Sequence, residues 1–310
     1  MQPKHIQRLL CCLFLLIAIS CTKDEPVYTN NPGASLFETI LGKKELSLYQ
    51  AALKRAGMLD AATFANSGPY TVFAPVDSAF MNAGLTLDSI NKYNPDSLAL
   101  VLKYGMLYGR ISSSTLMGFY SQDMVSRHPS LKPRLNKNYY GIFFNGIPLL
   151  PEKSATLADG VLHELARVPF PQSANLMDWI RRQPELTFFA AVLDRTGYAS
   201  QVANTDPLGK LVFAPVNEAY KKLGYTDLDA INNADLFILQ APMQEMVRSP
   251  RLFTADFLGG YSFNYDYFYV NADGFTITAI GNIAPVHIIR PDIMGVNGVI
   301  QEVDQVILLR

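Results

Sequence analysis

The side chains best suited to catalysis or metal binding are few in this sequence and lie far apart. The histidines are His5, His128, His163 and His287. His163-Glu164 is followed by Leu-Ala-Arg, so the second histidine of a zinc-binding helix is missing. Because a metal site needs three or four convergent ligands, we expect His163 to be structural and packed at a sheet edge.

The remaining chemistry-bearing residues form no catalytic pattern either. His128 stands between Arg127 and Pro129, which is typical of a solvated loop, and His287 lies in an apolar run. No serine stands in a nucleophile-elbow pattern, and no glycine-rich phosphate loop is present. Paired carboxylates ~5–9.5 Å apart would suit a carbohydrate hydrolase, but no motif marks such a pair. The sequence therefore predicts no catalytic residue, no metal and no cofactor.

The N-terminal segment has the features of a secretory signal. Lys4 and Arg8 form a positive start, and the apolar run Leu9–Ile19 that follows is too short to span a bilayer. We interpret residues 1–20 as a signal peptide. Two of the three cysteines leave with it, so Cys21 alone remains and no intrachain disulfide is expected.

Cys21 is the predicted lipidation site. Ala18-Ile-Ser-Cys21 resembles a bacterial lipoprotein cleavage box, with alanine in place of the usual leucine. Several acyl chains anchor a protein durably, because each buried methylene contributes roughly 0.8 kcal/mol. Thr22-Lys-Asp-Glu25 resembles the surface-export signal of Bacteroidetes lipoproteins, and residues 21–35 have the composition of a flexible tether. We therefore expect a lipid-anchored protein of the cell outer membrane, exposed at the surface.

One sequence motif, which we call the repeated phrase, occurs twice at an offset of 140 residues. Thr71–Phe80 reads Thr-Val-Phe-Ala-Pro-Val-Asp-Ser-Ala-Phe, and Leu211–Tyr220 reads Leu-Val-Phe-Ala-Pro-Val-Asn-Glu-Ala-Tyr. Each copy predicts a short apolar strand, a proline break and the start of a helix. We expect Asp77 and Asn217 to act as N-caps of those helices. The repeated phrase is therefore expected to have a structural role rather than a catalytic one.

Other segments repeat at nearly the same offset. Ala51–Gly57 matches Ala191–Gly197 at 140 residues, and Asp159–Leu165 matches Asn297–Val303 at 138 residues. Solenoid repeats are only about 20–50 residues long. The pattern therefore indicates duplication of a whole domain.

These motifs resemble those of the fasciclin domain family over residues 36–171 and 176–310. The resemblance implies an α+β fold with two tandem fasciclin-like domains, each a wedge-like β-sandwich wrapped by helices. It also implies adhesion or ligand display rather than catalysis. The Tyr-His pair that the family usually carries is replaced by Tyr108-Gly109 and by Glu245-Met246, and no Arg-Gly-Asp tripeptide is present.

The segment Tyr261–Tyr269 has aromatic residues at every second position. In a single strand, all five aromatic side chains would share one face. Tyrosine joins an apolar ring to a polar tip, which suits stacking on sugar rings or docking of a protein. The alternative is the core face of a sandwich. The candidate ligand-binding residues are Tyr261, Tyr265, Tyr267 and Tyr269.

A second candidate surface is the basic loop, which contains Arg127, Lys132, Arg134 and Lys137. Such a cluster of positive charge would suit an anionic polysaccharide or lipid head groups. The alternative is an ordinary solvated loop without a ligand.

Length and composition fit about two globular domains, since 49% of the 310 residues are hydrophobic and 17% are charged. The net charge of −1 lacks the excess of positive charge that is typical of proteins that bind nucleic acid. We expect a non-enzymatic cell-surface lipoprotein that binds glycan or protein for adhesion or matrix attachment. The alternatives are an accessory subunit of an outer-membrane carbohydrate or nutrient-uptake complex and, third, a carbohydrate hydrolase.

Overall fold

The structure is a computed structural model that describes residues 29–31, 33–66, 68–171, 173–264 and 267–308. The predicted signal peptide, Cys21 and Tyr265 lie outside the described residues. The described chain forms two units of the same design. We call residues 29–171 the first unit and residues 173–308 the second unit.

The first unit contains, within its described residues, six α-helices and eight strands. The helices are α1 (Leu36–Gly42), α2 (Ser47–Arg55), α3 (Ala61–Ala65), α4 (Asp77–Asn82), α5 (Leu87–Lys92) and α6 (Pro95–Tyr104), with a 3₁₀ turn at Lys44–Leu46. The strands are β1 (Thr29–Asn31), β2 (Tyr70–Pro75), β3 (Met106–Tyr108), β4 (Tyr120–Asp123), β5 (Arg134–Asn138), β6 (Gly141–Phe144), β7 (Ile147–Leu157) and β8 (Gly160–Leu165).

The second unit repeats this plan with eight helices and seven strands among its described residues. The helices are α7 (Leu176–Arg181), α8 (Thr187–Thr196), α9 (Tyr198–Ala203), α10 (Asn217–Lys221), α11 (Leu228–Asn233), α12 (Leu236–Gln240), α13 (Met243–Met246) and α14 (Thr254–Phe257), with a 3₁₀ turn at Pro184–Leu186. The strands are β9 (Lys210–Pro215), β10 (Val247–Arg248), β11 (Tyr261–Asn264), β12 (Phe268–Val270), β13 (Thr276–Ala279), β14 (Val286–Gly295) and β15 (Gly298–Val303).

The two sheets have the same strand order. It is β3-β2-β8-β7-β6-β5-β4 in the first unit, with β1 beside β7, and β10-β9-β15-β14-β13-β12-β11 in the second. The repeated phrase forms β2 and β9, which pair in parallel with the closing strands β8 and β15. This shared topology confirms the α+β class and the tandem duplication.

The expected sandwich is realised as one curled sheet in each unit. The long strand β7 belongs to both halves of its sheet, and its register against β8 shifts between Leu150 and Ala155. Strand β14 shows corresponding shifts between Ile288 and Ile293. Such bulges bend a strand and increase its twist. Each sheet can therefore curl over the hydrophobic core.

Asp77 and Asn217 cap different helices from the ones that we expected. Asp77 Oδ1 accepts the N–H of Leu48 at 2.8 Å, and Asn217 Oδ1 accepts the N–H of Phe188 at 2.9 Å. Both donors lie in the first turns of α2 and α8, about 30 residues earlier in the chain. The prediction of N-caps for α4 and α10 was therefore wrong, because helices α2 and α8 pack against α4 and α10 and present their unpaired N–H groups there.

One local prediction can be compared with the structure. Residues 29–31, which we assigned to the tether, pair with the end of β7. Helix α6 ends at Tyr104, and Met106–Tyr108 pairs with β2 as β3. A tight hairpin turn joins β6 to β7, since Asn145 and Gly146 have φ angles of 51° and 74°.

The units share apolar surface as well as design. The first unit holds two hydrophobic clusters, one beneath its helices and one around Phe73 and Phe144. In the described part of the second unit, one cluster surrounds Phe213 and Phe257. Phe143 of the first unit is buried in the cluster of the second. The hairpin of β5 and β6 is therefore anchored in the neighbouring unit.

Candidate functional site

The tyrosine-rich segment is a hairpin, so the prediction of one strand with five aromatic residues on a single face was wrong. In the antiparallel pair of β11 and β12, Tyr261 lies opposite Val270 and Ser262 lies opposite Tyr269. Directly opposed residues of an antiparallel pair share a face. Tyr261 and Tyr269 therefore lie on opposite faces, because the chain reverses direction between them.

The inward face of this hairpin belongs to the core. The Tyr261 ring lies 5.7 Å from Phe257, and the Phe263 ring lies 4.8 Å from Phe268, measured between centroids. Phe257 and Phe268 are fully buried. Tyr261 and Phe263 are thus occupied in packing, which follows the alternative interpretation of a core face.

Tyr267 and Tyr269 lie at the surface instead, with 51% and 37% of their areas exposed. Tyr269 lies opposite Thr278 of β13, and the carbonyl of Tyr267 accepts the N–H of the exposed Ile280 at 3.0 Å. We call the outward surface of Tyr267, Tyr269, Thr278 and Ile280 the tyrosine face. It combines phenol groups with aliphatic surface, which suits binding rather than bond making.

Asp292 is the centre of the seam between the units. Its carboxylate is 1% exposed and accepts the Thr254 N–H at 2.8 Å, the Thr254 hydroxyl at 2.6 Å and the Gln301 amide at 3.0 Å. Arg167 of the first unit donates a fourth bond, at 3.0 Å. A buried carboxylate needs such compensation. This network had no sequence signal, because its members are scattered over more than a hundred residues.

The β5–β6 hairpin of the first unit docks on α14 of the second. The Asn136 amide donates to Asp256 Oδ1 at 2.7 Å, and the Asn138 amide donates to the Ala255 carbonyl at 2.7 Å. Burial raises the pKa of Asp256, and the Asn136 bond opposes that effect. The contact is therefore directional as well as apolar.

Three clefts open along the seam, with volumes of about 400, 530 and 190 Å³. The first is lined by Trp179 and Arg290 of the second unit and by Arg167 of the first. The Arg290 guanidinium lies 5.3 Å from the Trp179 ring centroid and pairs with Glu302 at 3.3 Å. The cleft offers cationic and aromatic surface, and its lining includes no serine, cysteine or histidine.

A family model describing the fasciclin domain matches residues 44–171 and again residues 184–309. The chain belongs to the fasciclin domain family. Each match contains the seven strands that have the same order in both sheets, so each unit is a fasciclin unit.

Individual relatives match parts of this fasciclin pair. Human periostin (Homo sapiens) is 26% identical over 191 residues, which cover 61% of this chain and 22% of periostin. Protein sll1483 of Synechocystis sp. is 32% identical over 82 residues, covering 26% of this chain and 44% of that protein. The chain thus spans less than half the length of these relatives. A solved FAS1 domain pair from the insect cell adhesion molecule Fasciclin I covers 84% of this chain and 95% of its own, with 14% identity and a TM-score of 0.36.

The basic loop of the first fasciclin unit is mostly used internally. Lys132 is exposed, whereas the other three cations are held by the protein. Arg127 donates to the Thr63 carbonyl at 2.8 Å, Arg134 pairs with Asp123 at 3.3 Å, and Lys137 donates to the Leu116 carbonyl. These contacts favour the interpretation of a structural loop over a binding patch.

His163 also has structural partners. His163 lies on β8 between β2 and β7, so its predicted position at a sheet edge was wrong. Its Nε2 donates to the Ile111 carbonyl and its Nδ1 accepts from the Ser154 hydroxyl, both at 2.8 Å. Burial lowers the pKa of His163 to about 4. The ring is therefore a neutral bridge in the core.

A buried glutamate occurs at the same place in both units. Glu164 pairs with Lys43 at 2.8 Å, and its counterpart Glu302 pairs with Arg290 at 3.3 Å. Burial raises the pKa of both carboxyl groups, that of Glu302 to about 7. Perturbed pKa values often mark functional sites. Here the duplication in both units, with each side chain nearly inaccessible, favours a structural role.

Among the described residues, no group of three or more His, Cys, Asp or Glu side chains is placed to hold a metal ion. The described helices include none that is long and apolar enough to cross a bilayer.

Proposed function

We propose that this fasciclin pair is a non-enzymatic, lipid-anchored surface protein of the outer membrane that binds a glycan or protein ligand for adhesion or matrix attachment. Cys21 would carry the lipid. The tyrosine face would contact the ligand. Membership of the fasciclin domain family supports the binding role.

The observation that carries the binding proposal is the exposure of Tyr267 and Tyr269 beside a strand pair that packs on the core. The same hairpin is fixed from below by Tyr261 and Phe263, which pack on the core. A tyrosine held this way presents its ring with little loss of conformational entropy on binding. Ring faces of this kind stack on sugars, and their hydroxyl groups hydrogen-bond to polar ligands.

The ligand test uses an array of glycans and matrix proteins probed with the chain from residue 22 onward, which contains the three hydrophobic clusters of the described residues. We expect retention of at least one ligand and loss of that retention in Tyr267→Ala/Tyr269→Ala. The matched control is Phe237→Ala, because Phe237 is 80% exposed on α12, outside the tyrosine face. Retention of no ligand, or equal retention by the double variant, would contradict the binding proposal.

The anchor is tested separately by fractionation of cells that express the full chain. Wild type should partition with the outer membrane and be accessible to protease added outside intact cells. Cys21→Ala should remove the acyl chains and release the protein into the soluble fraction. Membrane retention of Cys21→Ala would contradict the proposed lipid anchor without affecting the binding proposal. Co-purification of wild type with a membrane transporter would favour the uptake-complex alternative.

A further inference from the structure

The duplication allows the surfaces of the two units to be compared position by position. Tyr120-Ser121 on β4 and Tyr261-Ser262 on β11 begin equivalent strands, at the same place in the two sheet orders. Ser121 lies opposite Asn136, and Ser262 lies opposite Tyr269. Tyr269 therefore occupies in the second unit the position that Asn136 occupies in the first.

These equivalent positions are covered to different extents. Asn136 is 2% exposed because the second unit lies over it, and its cross-strand neighbour Phe143 is buried in the second unit's core cluster. Tyr269 and its cross-strand neighbour Thr278 are not covered in this way, and Tyr269 is 37% exposed. The tyrosine face is thus the counterpart of a surface that the chain already uses for docking.

The surface that receives this docking is also duplicated. Phe257-Leu-Gly259 in the second unit and Leu116-Met-Gly118 in the first both lead into the equivalent Tyr-Ser pairs. A Cβ at Gly259 would collide with the Tyr140 hydroxyl of the docked hairpin. Among the described residues, a Cβ at Gly118 would meet no atom within 4 Å. The counterpart in the first unit is therefore open.

We call this open counterpart, residues 113–119, the receiving segment. Its side chains Met117 and Phe119 are 83% and 85% exposed. Large apolar groups in so exposed a position on a folded unit often mark an interaction surface.

The two open surfaces have both lost the polar partners that meet in the internal contact. In the internal contact, the Asn136 amide meets the Asp256 carboxylate. On the open surfaces these positions are Tyr269 and Thr115, so the charge and the amide are both absent. The open surfaces offer the ring of Tyr269 on one side and the apolar side chains of Met117 and Phe119 on the other, and methionine sulfur packs favourably against aromatic rings.

One asparagine of the internal contact has an asparagine at the equivalent position of the open surface. In the internal contact, its partner is a backbone carbonyl. Asn138 donates to the Ala255 carbonyl. Asn271 lies two residues after Tyr269, as Asn138 lies two residues after Asn136, and Ser114 is the counterpart of Ala255. A backbone carbonyl is present whatever the side chain, so the same amide contact is available to the open pair.

We propose that the tyrosine face of one copy of this chain docks on the receiving segment of a second copy, repeating the internal contact between the two units. The interface is heterologous, because two different surfaces meet, and it leaves one of each free at the ends. Copies can therefore add head to tail into an open chain or close into a ring. This deepens the proposed function by naming a partner, and it rests on the tyrosine face being a binding surface.

The test is sedimentation velocity of the chain from residue 22 onward over a range of concentrations. Wild type should sediment faster as concentration rises, beyond the dimer. Tyr269→Asp and Phe119→Asp should each remain monomeric, because each loses one of the two surfaces. A mixture of these two variants should form a one-to-one dimer and nothing larger, since one intact surface of each kind remains. Phe237→Ala should behave as wild type.

The mixture distinguishes this interface from the other ways of associating. A symmetric dimer through one surface would give no rescue by mixing, and that result with both variants folded by circular dichroism would overturn the proposal. So would a wild type that stays monomeric up to ~1 mM, the effective concentration that short tethering provides. Self-association without retention on the ligand array would remove the glycan or foreign-protein partner and leave this inference standing.

Discussion

Arg167 of the first fasciclin unit donates a hydrogen bond to Oδ2 of Asp292 of the second unit, at 3.0 Å. The two residues differ in surroundings, since the Arg167 side chain is about one-third exposed and the Asp292 carboxylate is buried. Asp292 also has a φ angle of 59°, a left-handed conformation that aspartate adopts more readily than most residues with a side chain. The link between the units therefore depends on a buried carboxylate that accepts four hydrogen bonds.

Loss of Asp292 should cost far more than loss of its interdomain partner. Asp292→Ala leaves the Thr254 and Gln301 donors unpaired in a buried place, which we expect to cost about 3–5 kcal/mol of unfolding free energy. Arg167→Ala removes one partly exposed bond and should cost about 1 kcal/mol or less. Urea unfolding of both variants measures the difference. Equal losses would show that the ion pair, rather than the buried network, carries the energy.

Glu302 should make the second unit less stable as pH rises. Its folded pKa is raised to about 7 by burial, from an ordinary value of 4.5. The folded unit thus holds a proton that the unfolded chain releases, so stability falls from about pH 4.5 to about pH 7, where the penalty is complete. Glu302→Gln should flatten this part of the pH profile of urea midpoints.

The control for that profile is Glu218→Gln, which removes an exposed carboxylate of the same unit. It should keep the wild-type slope. A slope that survives in Glu302→Gln would show that another group controls the loss of stability between about pH 4.5 and about pH 7.

His163 acts in the opposite direction in the first unit. Burial lowers its pKa to about 4 from the ordinary 6.5, so the unfolded chain takes up a proton first. The stability contributed by the neutral ring is complete above pH 6.5 and is lost as pH falls towards 4. His163→Gln should reduce the acid slope of unfolding. Ser154→Ala, which keeps the imidazole, should be less stable at all pH values but should retain the slope.

Asp77 and Asn217, which cap helices about 30 residues earlier in the chain, should contribute about as much to the free energy of unfolding as ordinary N-caps do. Asp77→Ala and Asn217→Ala leave the N–H groups of Leu48 and Phe188 unpaired, and each should cost about 1–2 kcal/mol in thermal or urea unfolding. Asp77→Asn keeps an acceptor oxygen and should cost much less. Asp88→Ala, which breaks only an exposed pair with Lys92, should change stability by less than about 0.5 kcal/mol. Equal effects for all four changes would refute the capping role.

The parts of the fold that were predictable depend on short stretches of chain. The strand and helix of the repeated phrase follow from its apolar run and its proline, and the hairpin at Asn145-Gly146 follows from a turn that needs two positive φ angles. The duplication itself was visible because both copies keep these local signals. Asp77 shows the limit, since the donor that it meets lies 29 residues away.

The candidate site was predictable only in part, for a physical reason. Aromatic residues continue with period two from β11 through the turn into β12, so the sequence pattern does not show where the chain reverses. Tyr261 and Tyr269 consequently looked equivalent, although one packs on the core and the other faces outward. The docking of Asn136 on Asp256 had no local signal at all, because it depends on how two folded units meet.

The most direct test of the central claim, that this protein binds through its tyrosine face, is adhesion of cells that display the full chain. Cells would be counted after washing on surfaces coated with the glycans and matrix proteins of the array. Wild-type and Phe237→Ala cells should be retained, whereas Tyr267→Ala/Tyr269→Ala cells should wash off as do cells without the protein. Equal retention of the double variant and the wild type, at equal surface display, would contradict the account.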